Sequence, residues 1–332
     1  MRRATFLMVA AAPLVFPRAV RAQADVDPAT NSARPALRVL LGAGVASPAT
    51  PGTFSFAGRL YRGSFARLAD GQILNTVDLE EYLYSVVPTE MPTGWPAAAL
   101  AAQAICGRTY VLQRSDPRRA YDLVPSELDQ VYRGIQSESP AATAAVDATA
   151  GRVLRYGGAF AHVAYSSCCG GHTEGAADAW GSLSSPYLAG VVCTSCTASP
   201  NYRWSVSFAL NDIAAPFASS LAGLGDLEDL EIVSRDSSGR VRAFGLRARG
   251  GSITVQGGAF RRAVGARALR SLLITSLQRS PDGQTLSMQG GGLGHGVGLC
   301  QWGARGMADD GATAQSILAY YLPGTVIDAL GR

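Results

Sequence analysis

The sequence predicts an α+β fold in which most of the sheet is antiparallel. Residues 37–77 consist of short apolar runs separated by glycine and proline, a pattern typical of β-hairpins. Residues 96–114 form an alanine-rich run with the apolar spacing of a helix. The stretch "RVLRYGGAFAHVAYSS" places Gly157-Gly158 between two strand-like segments, which is a strong hairpin signal.

Composition limits the classes of function. The chain has 332 residues, of which 47% are hydrophobic and 16% charged, so it can bury a large core and is not a disordered chain. The formal net charge is only +4, and the basic residues are scattered along the chain. A nucleic-acid partner is therefore not predicted, because such proteins carry clustered Lys/Arg patches.

Residues 1–24 have the layout of a secretory signal peptide. Two arginines are followed by an apolar stretch from Phe6 to Phe16 and then by small residues, with cleavage predicted after Ala22 or Ala24. The alternative is an uncleaved anchor, but the apolar stretch is shorter than the roughly 20 residues that a spanning helix needs. We therefore expect an exported protein, in the periplasm or the cell wall, without a membrane span in the mature chain.

The remaining chain is predicted to hold a flexible leader, residues 25–35, and one domain, residues 36–330, with a motif-poor α+β part at 204–288. After the hairpins, "LEEYLYSVV" predicts a helix and "PTEMPTGWP" a Pro/Gly loop before the helix that begins near Pro96. A third helix ends at Gly151. Short helices are expected near 210–222 and 258–268, and a last amphipathic helix stops at Pro323-Gly324.

Three segments carry more Gly, His, Trp and Cys than folding requires: residues 79–110, 164–180 and 290–308. The first contains "VVPTEMPTGWP", the second "AYSSCCGGHTEGAADAW" and the third "GGGLGHGVGLCQWGARGMA". The three histidines of the chain all lie in or beside the last two. This clustering indicates a functional site.

These segments resemble the stage II sporulation protein D family, also called the amidase-enhancer family. "LEEYLYSVVPTEMP…WPAAALAAQAICGRTY" is similar to its leading block, and "DQVYRGI" to its Gln-x-Tyr-x-Gly element. "AYSSCCGGHTE…AW…PYL", "CTASPNYRW" and "GHGVGLCQWGARGMA" followed by "ILAYYLPGT" resemble its remaining blocks, in the same order. The resemblance covers about residues 38–328 and implies a cleft lined by these motifs.

The resemblance implies a lytic transglycosylase that cuts the glycan strands of peptidoglycan, with Glu90 of "TEMP" as the single acid and base. Such a glutamate has to be protonated near neutral pH, which an apolar surround favours. Read from its residues alone, Glu90 is instead an acidic residue near the N-terminus of a helix, where the dipole stabilises charge. Some relatives are amidase stimulators, so a non-catalytic activator of a cell-wall amidase that binds peptidoglycan is the alternative.

The other predicted site residues are expected to contact substrate. Arg108 follows Glu90 on the next helix, where it either orients substrate or is an ordinary surface arginine. Gln130 and Tyr132 alternate along an extended segment and so share one face. The rest precede or follow glycines that let the backbone approach a ligand or a neighbouring surface; they are Ser166, Ser167, His295, Gln301 and Trp302.

The cysteines leave two alternatives open. Cys169 and His172, with Cys193 and Cys196, have the paired short spacings of a structural zinc site. In an exported chain the alternative is disulfides among Cys168, Cys169, Cys193 and Cys196. Cys106 and Cys300 are predicted to be buried thiols. No cofactor is expected in catalysis; a metal-dependent hydrolase built on the cysteine and histidine cluster is a third, less favoured interpretation.

Overall fold

The computed structural model describes residues 35–181 and 185–330, so the predicted signal peptide and all of the leader except residue 35 lie outside the described residues. The described chain divides into two compact units, where the sequence predicts one domain over 36–330. The glutamate unit consists of residues 35–163, Ala308–Ala319 and 324–330. The cysteine unit consists of Ala164–Met307 and Tyr320–Pro323.

The glutamate unit begins with hairpins and continues with helices, as the sequence predicts. Its first strands are β1 (Ala36–Ala43), β2 (Ala46–Pro48), β3 (Thr53–Phe56), β4 (Arg59–Arg62), β5 (Ser64–Arg67) and β6 (Gln72–Asp78). The helices α1 (Leu79–Glu90), α2 (Ala97–Arg114) and α3 (Pro140–Ala148) precede β7 (Arg152–Tyr156) and β8 (Ala159–Phe160). The predicted hairpin at Gly157-Gly158 is confirmed, since β7 and β8 pair antiparallel and both glycines have positive φ.

Helix α1 is longer than the sequence predicts. Asp78 caps its N-terminus by accepting the N–H groups of Glu80 and Glu81, and the helix continues through Pro88 to Glu90. The "PTE" of the predicted loop is thus helical, because the buried side chains of Val86, Val87 and Met91 anchor this last turn in the core. Glu90 is consequently the C-terminal residue of α1, and not a residue at the N-terminus of α2.

The cysteine unit contains two antiparallel three-stranded sheets and one short parallel pair. Its elements are β9 (Tyr165–Ser166), α4 (Ala176–Trp180), β10 (Trp204–Ala209), α5 (Leu210–Ala214), α6 (Ala218–Leu221), β11 (Leu227–Arg235), β12 (Val241–Ala248), β13 (Gly251–Gln256), α7 (Gly257–Val264), β14 (Ile274–Arg279), β15 (Thr285–Gly290) and β16 (Leu299–Cys300). The chain ends with α8 (Gln301–Asp309), α9 (Ala314–Tyr321) and β17 (Val326–Ala329).

The sheet topology confirms the α+β fold with mainly antiparallel sheets. The sheets β1-β6-β5, β2-β3-β4 and β17-β7-β8 belong to the glutamate unit, and β10-β15-β14 and β11-β12-β13 to the cysteine unit. The pair β9 and β16 is parallel, with Tyr165 opposite Leu299 and Ser166 opposite Cys300. This short pair brings the second and third motif segments side by side.

The motif-poor residues between 204 and 288 supply the hydrophobic core of the cysteine unit. Trp204 on β10 and Met288 on β15 both lie in this core, and Phe244 and Phe260 pack there with ring centroids 4.1 Å apart. Most of these residues therefore stabilise the cysteine unit by hydrophobic packing. Within residues 35–181 and 185–330, every helix is too short or too polar to cross a lipid bilayer.

Candidate functional site

Glu90 lies half-buried at the end of α1 in the glutamate unit. Its Oε1 accepts a hydrogen bond from the backbone N–H of Val131 at 3.4 Å. The Oγ1 of Thr89 donates to the carbonyl of Val131 at 2.6 Å, which ties the same backbone segment to the helix. Glu90 is thus held between the helix end and residue 131, with the buried side chain of Met91 next to it.

Gln130 and Tyr132 face the same side of their segment, as predicted, but that side is the protein interior. Gln130 is fully buried, with its Nε2 3.4 Å from the carbonyl of Gly107. Tyr132 is buried against the ring of Tyr82, and its hydroxyl donates to Asn75 at 3.0 Å. These two side chains therefore anchor the segment whose Val131 N–H reaches Glu90, and neither is exposed to a ligand in this structure.

Arg108, which the sequence predicts to contact substrate, is buried in an ion pair with Glu80. Its side chain is 0% exposed, its Nε is 2.9 Å from Oε1 of Glu80, and its Nη1 donates to the carbonyl of Arg152 at 3.0 Å. Glu80 in turn accepts the N–H of Gly151 at 3.0 Å. A guanidinium enclosed in this way has no surface to offer a ligand, and it joins α1, α2 and the start of β7.

In the cysteine unit, the structure brings most of the other predicted residues together. The pairing of β9 with β16 sets Ser166 beside Cys300, and the N–H of Trp302 donates to the carbonyl of Ser167 at 3.0 Å. Gln301 is buried at the start of α8, and the Trp302 ring lies under the guanidinium of Arg305. The Oγ of Ser166 is buried and has no hydrogen-bond partner among the residues that the structure describes.

The alternating glycines of "GHGVG" allow close packing, as the sequence indicates. A Cβ on Gly294 would lie 2.9 Å from the Cβ of Ser166, and a Cβ on Gly296 would overlap the guanidinium of Arg240. Both glycines have positive φ, a conformation that side chains rarely adopt. The two positions therefore require glycine for space as well as for backbone geometry.

His295 has both ring nitrogens occupied by backbone. Its Nδ1 accepts the N–H of Val297 at 2.9 Å, and the ring also hydrogen-bonds the backbone of Tyr165. Burial lowers the pKa of His295 to about 4, so the ring is neutral at neutral pH. The ring makes a tilted contact with the ring of Trp180, with centroids 5.2 Å apart and 58° between the ring planes. His295 thus supports Trp180, and its polar atoms are not directed at a substrate.

Four buried cysteines of the cysteine unit form a cluster that can hold a metal ion. The Sγ atoms of Cys169, Cys193, Cys196 and Cys300 all lie within 4.8 Å of one another. Cys169 and Cys196 have their sulfurs 3.7 Å apart, much longer than a disulfide bond of about 2.05 Å. Four thiolates at about 2.3 Å around one tetrahedral zinc ion would be about 3.8 Å apart, so the spacing fits.

Hydrogen bonds to the sulfurs also suit thiolate ligands. The Sγ of Cys300 accepts the N–H of Cys169 at 3.2 Å and the N–H of Gly303 at 3.4 Å. The Sγ of Cys193 lies 3.0 Å from the hydroxyl of Tyr321. Donors of this kind orient ligands and stabilise their negative charge. A side chain at Gly303 would collide with both Tyr321 and Cys193, which explains the glycine there.

The cluster differs from the predicted ligand set in one member. The Nδ1 of His172 is 2.6 Å from the carbonyl of Thr173, and the fourth cysteine of the cluster is Cys300. Cys300 was predicted to be an isolated buried thiol, because its partners are more than 100 positions away in the sequence. Cys168 is buried next to the cluster and is a fifth thiol. Cys106 lies alone in the glutamate unit, where burial raises the pKa of its thiol to about 12.

A buried arginine anchors the cysteine loop. Arg240 is 1% exposed, and its Nη2 and Nη1 donate to the carbonyls of Cys169 and His172 at 2.7 and 2.9 Å. Its Nε is 3.5 Å from Oε2 of Glu174, an ion-pair distance. Burial raises the pKa of Glu174 to about 8, while Arg240 lowers it and the nearby Asp236 raises it further.

Sequence reasoning missed Trp180, Glu174, Arg240 and the role of Cys300. Glu174 and Trp180 stand in the quoted "GGHTEGAADAW", so their motif was recognised but their individual environments were not. Arg240 lies in the motif-poor part of the chain, where no motif around it indicates a role in the site. Arg240 stands directly before β12, and its contacts with the cysteine loop are visible only in the folded chain.

Comparison with known proteins gives two family matches. Residues 69–156 match the model of the family described as stage II sporulation protein, and residues 192–298 match a domain of unknown function (DUF8618). The first match includes Glu90, and the second includes Cys193, Cys196, Arg240 and His295.

Individual relatives cover more of the chain. An uncharacterized protein of Brachyspira hyodysenteriae is 31% identical over 77% of this chain and 68% of its own length. Stage II sporulation protein D of Bacillus subtilis is 27% identical over 77% of this chain and 76% of its own length. The amidase enhancer of Bacillus subtilis is 28% identical over 74% of this chain but only 40% of its own length.

Proposed function

Because the chain belongs to the stage II sporulation protein D family, we propose that it is an exported lytic transglycosylase that cleaves the glycan strands of peptidoglycan. The observation that carries the proposal is the position of Glu90 at the end of α1, half-buried and held by the Val131 N–H. From this position Glu90 would protonate the leaving oxygen of the glycosidic bond as a general acid.

In the proposed reaction, Glu90 donates its proton to the glycosidic oxygen as the bond from that oxygen to the anomeric carbon breaks. The anomeric carbon then has oxocarbenium character. The Glu90 carboxylate next takes the proton of the 6-hydroxyl of the same sugar, whose oxygen attacks the anomeric carbon. The products are a free 4-hydroxyl on one strand and a 1,6-anhydro-muramyl end on the other, without consumption of water.

The test uses purified glycan strands and mass spectrometry of the products. The wild-type protein is expected to produce anhydro ends, and Glu90→Gln to lower the rate at least a hundredfold, since the amide has no acidic proton to give. Glu81→Gln is the matched control, because Glu81 lies on the same helix, half-exposed, 3.7 Å from Arg62. Undiminished digestion by Glu90→Gln would refute the mechanism.

A second candidate function rests on the amidase enhancer among the relatives. In this alternative the chain binds peptidoglycan and stimulates a cell-wall amidase without cutting glycan. The same digests distinguish the two, because an activator leaves the glycan strands intact and speeds the release of stem peptides only when an amidase is added.

We further propose that the four-cysteine cluster holds a structural zinc ion. Four thiolates leave no open position for substrate or water, so the metal would stabilise the loop from Cys169 to Cys196 and would not take part in the chemistry. Metal analysis of protein purified without reductant tests this: one zinc per chain and free thiols at Cys106 and Cys168 are expected. Zinc-free protein with oxidised cluster cysteines would refute it.

A further inference from the structure

Thr89, which directly precedes Glu90 on α1, has a hydroxyl that no step of the proposed reaction uses. Its Oγ1 lies 2.8 Å from the carbonyl of Val86 in the same helix and 2.6 Å from the carbonyl of Val131. A hydroxyl has a single proton to donate, so the two carbonyls compete for it, and the shorter contact is the one outside the helix. Thr89 therefore binds α1 to the segment at residue 131.

The two polar backbone groups of Val131 are bound by consecutive residues of α1. Its carbonyl accepts from Thr89 at 2.6 Å, and its N–H donates to Oε1 of Glu90 at 3.4 Å. The first distance is that of a strong hydrogen bond, whereas the second is beyond the usual range for an N–H donor. The contact with Glu90 is thus sensitive to any displacement of Val131, and the Thr89 hydroxyl limits that displacement.

Contacts on either side of Val131 hold the segment in the fold independently of Thr89. Each anchors a neighbouring residue to another part of the glutamate unit: Gln130 to the carbonyl of Gly107, the Tyr132 hydroxyl to Asn75, and the Arg133 N–H to the Oγ of Ser85. Removal of the Thr89 hydroxyl is therefore expected to shift Val131 locally and to leave the unit folded.

The proposed reaction makes two demands on the position of the Glu90 carboxyl. It has to reach the glycosidic oxygen to give its proton, and then the 6-hydroxyl to take one back. A glutamate side chain has several rotatable bonds, so a half-buried one at a helix end occupies many positions unless a contact selects among them. Misplacement of a reacting group by about 1 Å can cost a hundredfold in rate.

From these contacts we propose that Thr89 is a positioning residue for Glu90. Its hydroxyl holds Val131 in place, and the Val131 N–H then keeps the Glu90 carboxyl within reach of the glycosidic oxygen and the 6-hydroxyl. Thr89 acts through Val131 and is not itself a catalytic residue. The inference rests on the proposed transglycosylase, and it adds to the site a residue that the sequence did not indicate.

The test measures kcat and KM on purified glycan strands. Thr89→Val replaces the hydroxyl with a methyl group of similar size and is expected to lower kcat about tenfold or more, with KM within about twofold of wild type. Thr89→Ser keeps the hydroxyl and should restore most of the rate. Thr149→Val is the matched control, because the Thr149 hydroxyl at the end of α3 donates to the carbonyl of Ala145 at 2.9 Å and is remote from Val131 in the hydrogen-bond network. It should keep the wild-type kcat.

The products give a second measurement, which a purely structural role would not change. In Thr89→Val a larger share of the new ends should be hydrolysed reducing ends, because a carboxylate displaced from the 6-hydroxyl lets water compete for the anomeric carbon. Circular dichroism and thermal unfolding check that each variant is folded.

Two results would overturn the positioning role alone and leave the Glu90 mechanism standing. One is a wild-type kcat and product ratio in folded Thr89→Val, and the other is a Thr89→Ser protein as slow as Thr89→Val. Wild-type digests without anhydro ends would instead overturn the transglycosylase, and with it the positioning of its acid.

Discussion

Glu174 gives the protein a pH-dependent stability that one substitution can isolate. Burial raises its pKa from 4.5 to about 8, so the folded chain keeps a proton that the unfolded chain releases. The stabilising contribution of this protonated carboxyl is complete below about pH 4.5 and is lost as the pH rises through about 8. In Glu174→Gln the side chain is neutral at every pH, so this pH-dependent contribution to the free energy of unfolding is absent.

The magnitude follows from the two pKa values. Between pH 5 and 7.5, a group with these values changes the free energy of unfolding by roughly 3 kcal/mol, at about 1.4 kcal/mol per pH unit. Relative to Glu174→Gln, the wild-type protein should therefore lose roughly 3 kcal/mol of stability over this interval.

Guanidinium unfolding at pH 5 and at pH 7.5, with equal metal content in all samples, measures this difference. Asp226→Asn is the control, because Asp226 is an exposed carboxylate of the same unit, 89%, and does not contribute to the shift at Glu174. If the wild type and Glu174→Gln differ by the same amount at both pH values, Glu174 is ionised in the folded protein. The attraction of Arg240 would then outweigh burial, and the reasoning would be refuted.

Three further outcomes are expected. Arg108→Met should cost about 3–5 kcal/mol of unfolding free energy, because it leaves the buried Glu80 carboxylate without its partner. Arg118→Met, at an exposed ion pair, should leave the unfolding free energy nearly unchanged, and equal effects of the two substitutions would contradict the structural role of Arg108. Cys300→Ser should lower the zinc content well below one per chain, whereas His172→Ala should leave it unchanged; the reverse would restore the predicted ligand set. Tyr321→Phe should weaken zinc affinity about tenfold in competition with a chelator, through loss of the hydroxyl beside Cys193, and an unchanged affinity would argue against thiolate ligation there.

Local pattern accounts for what the sequence predicted correctly. The Gly157-Gly158 turn, the alanine-rich helix α2 and the mainly antiparallel sheet depend on side-chain spacing and turn residues, which neighbouring positions specify. The end of α1 was predicted wrongly for the same reason. Prolines indicate a loop locally, but burial of Val86, Val87 and Met91 extends the helix to Glu90.

The candidate site shows which properties of a residue a local sequence pattern cannot predict. The sequence identified "TEMP", "SSCCGGH" and "GHGVG" as unusual, and the glycines of the last are required by close contacts with Ser166 and Arg240. It could not separate side chains that support the site from those that face a ligand. Gln130 and Tyr132 have polar groups suited to sugar, yet both are buried and position the Val131 N–H instead.

Sequence alone therefore determined the fold class, the motif segments and the family resemblance, because each is encoded in spacing along the chain. The tertiary structure decided which residues meet. The parallel pairing of β16 with β9 sets Cys300 beside Ser166, and its Sγ accepts the N–H of Cys169. Arg240 reaches the cysteine loop from more than 60 residues away. Burial and charge at such positions depend on partners distant in sequence, so ligand sets and pKa values are properties of the folded chain.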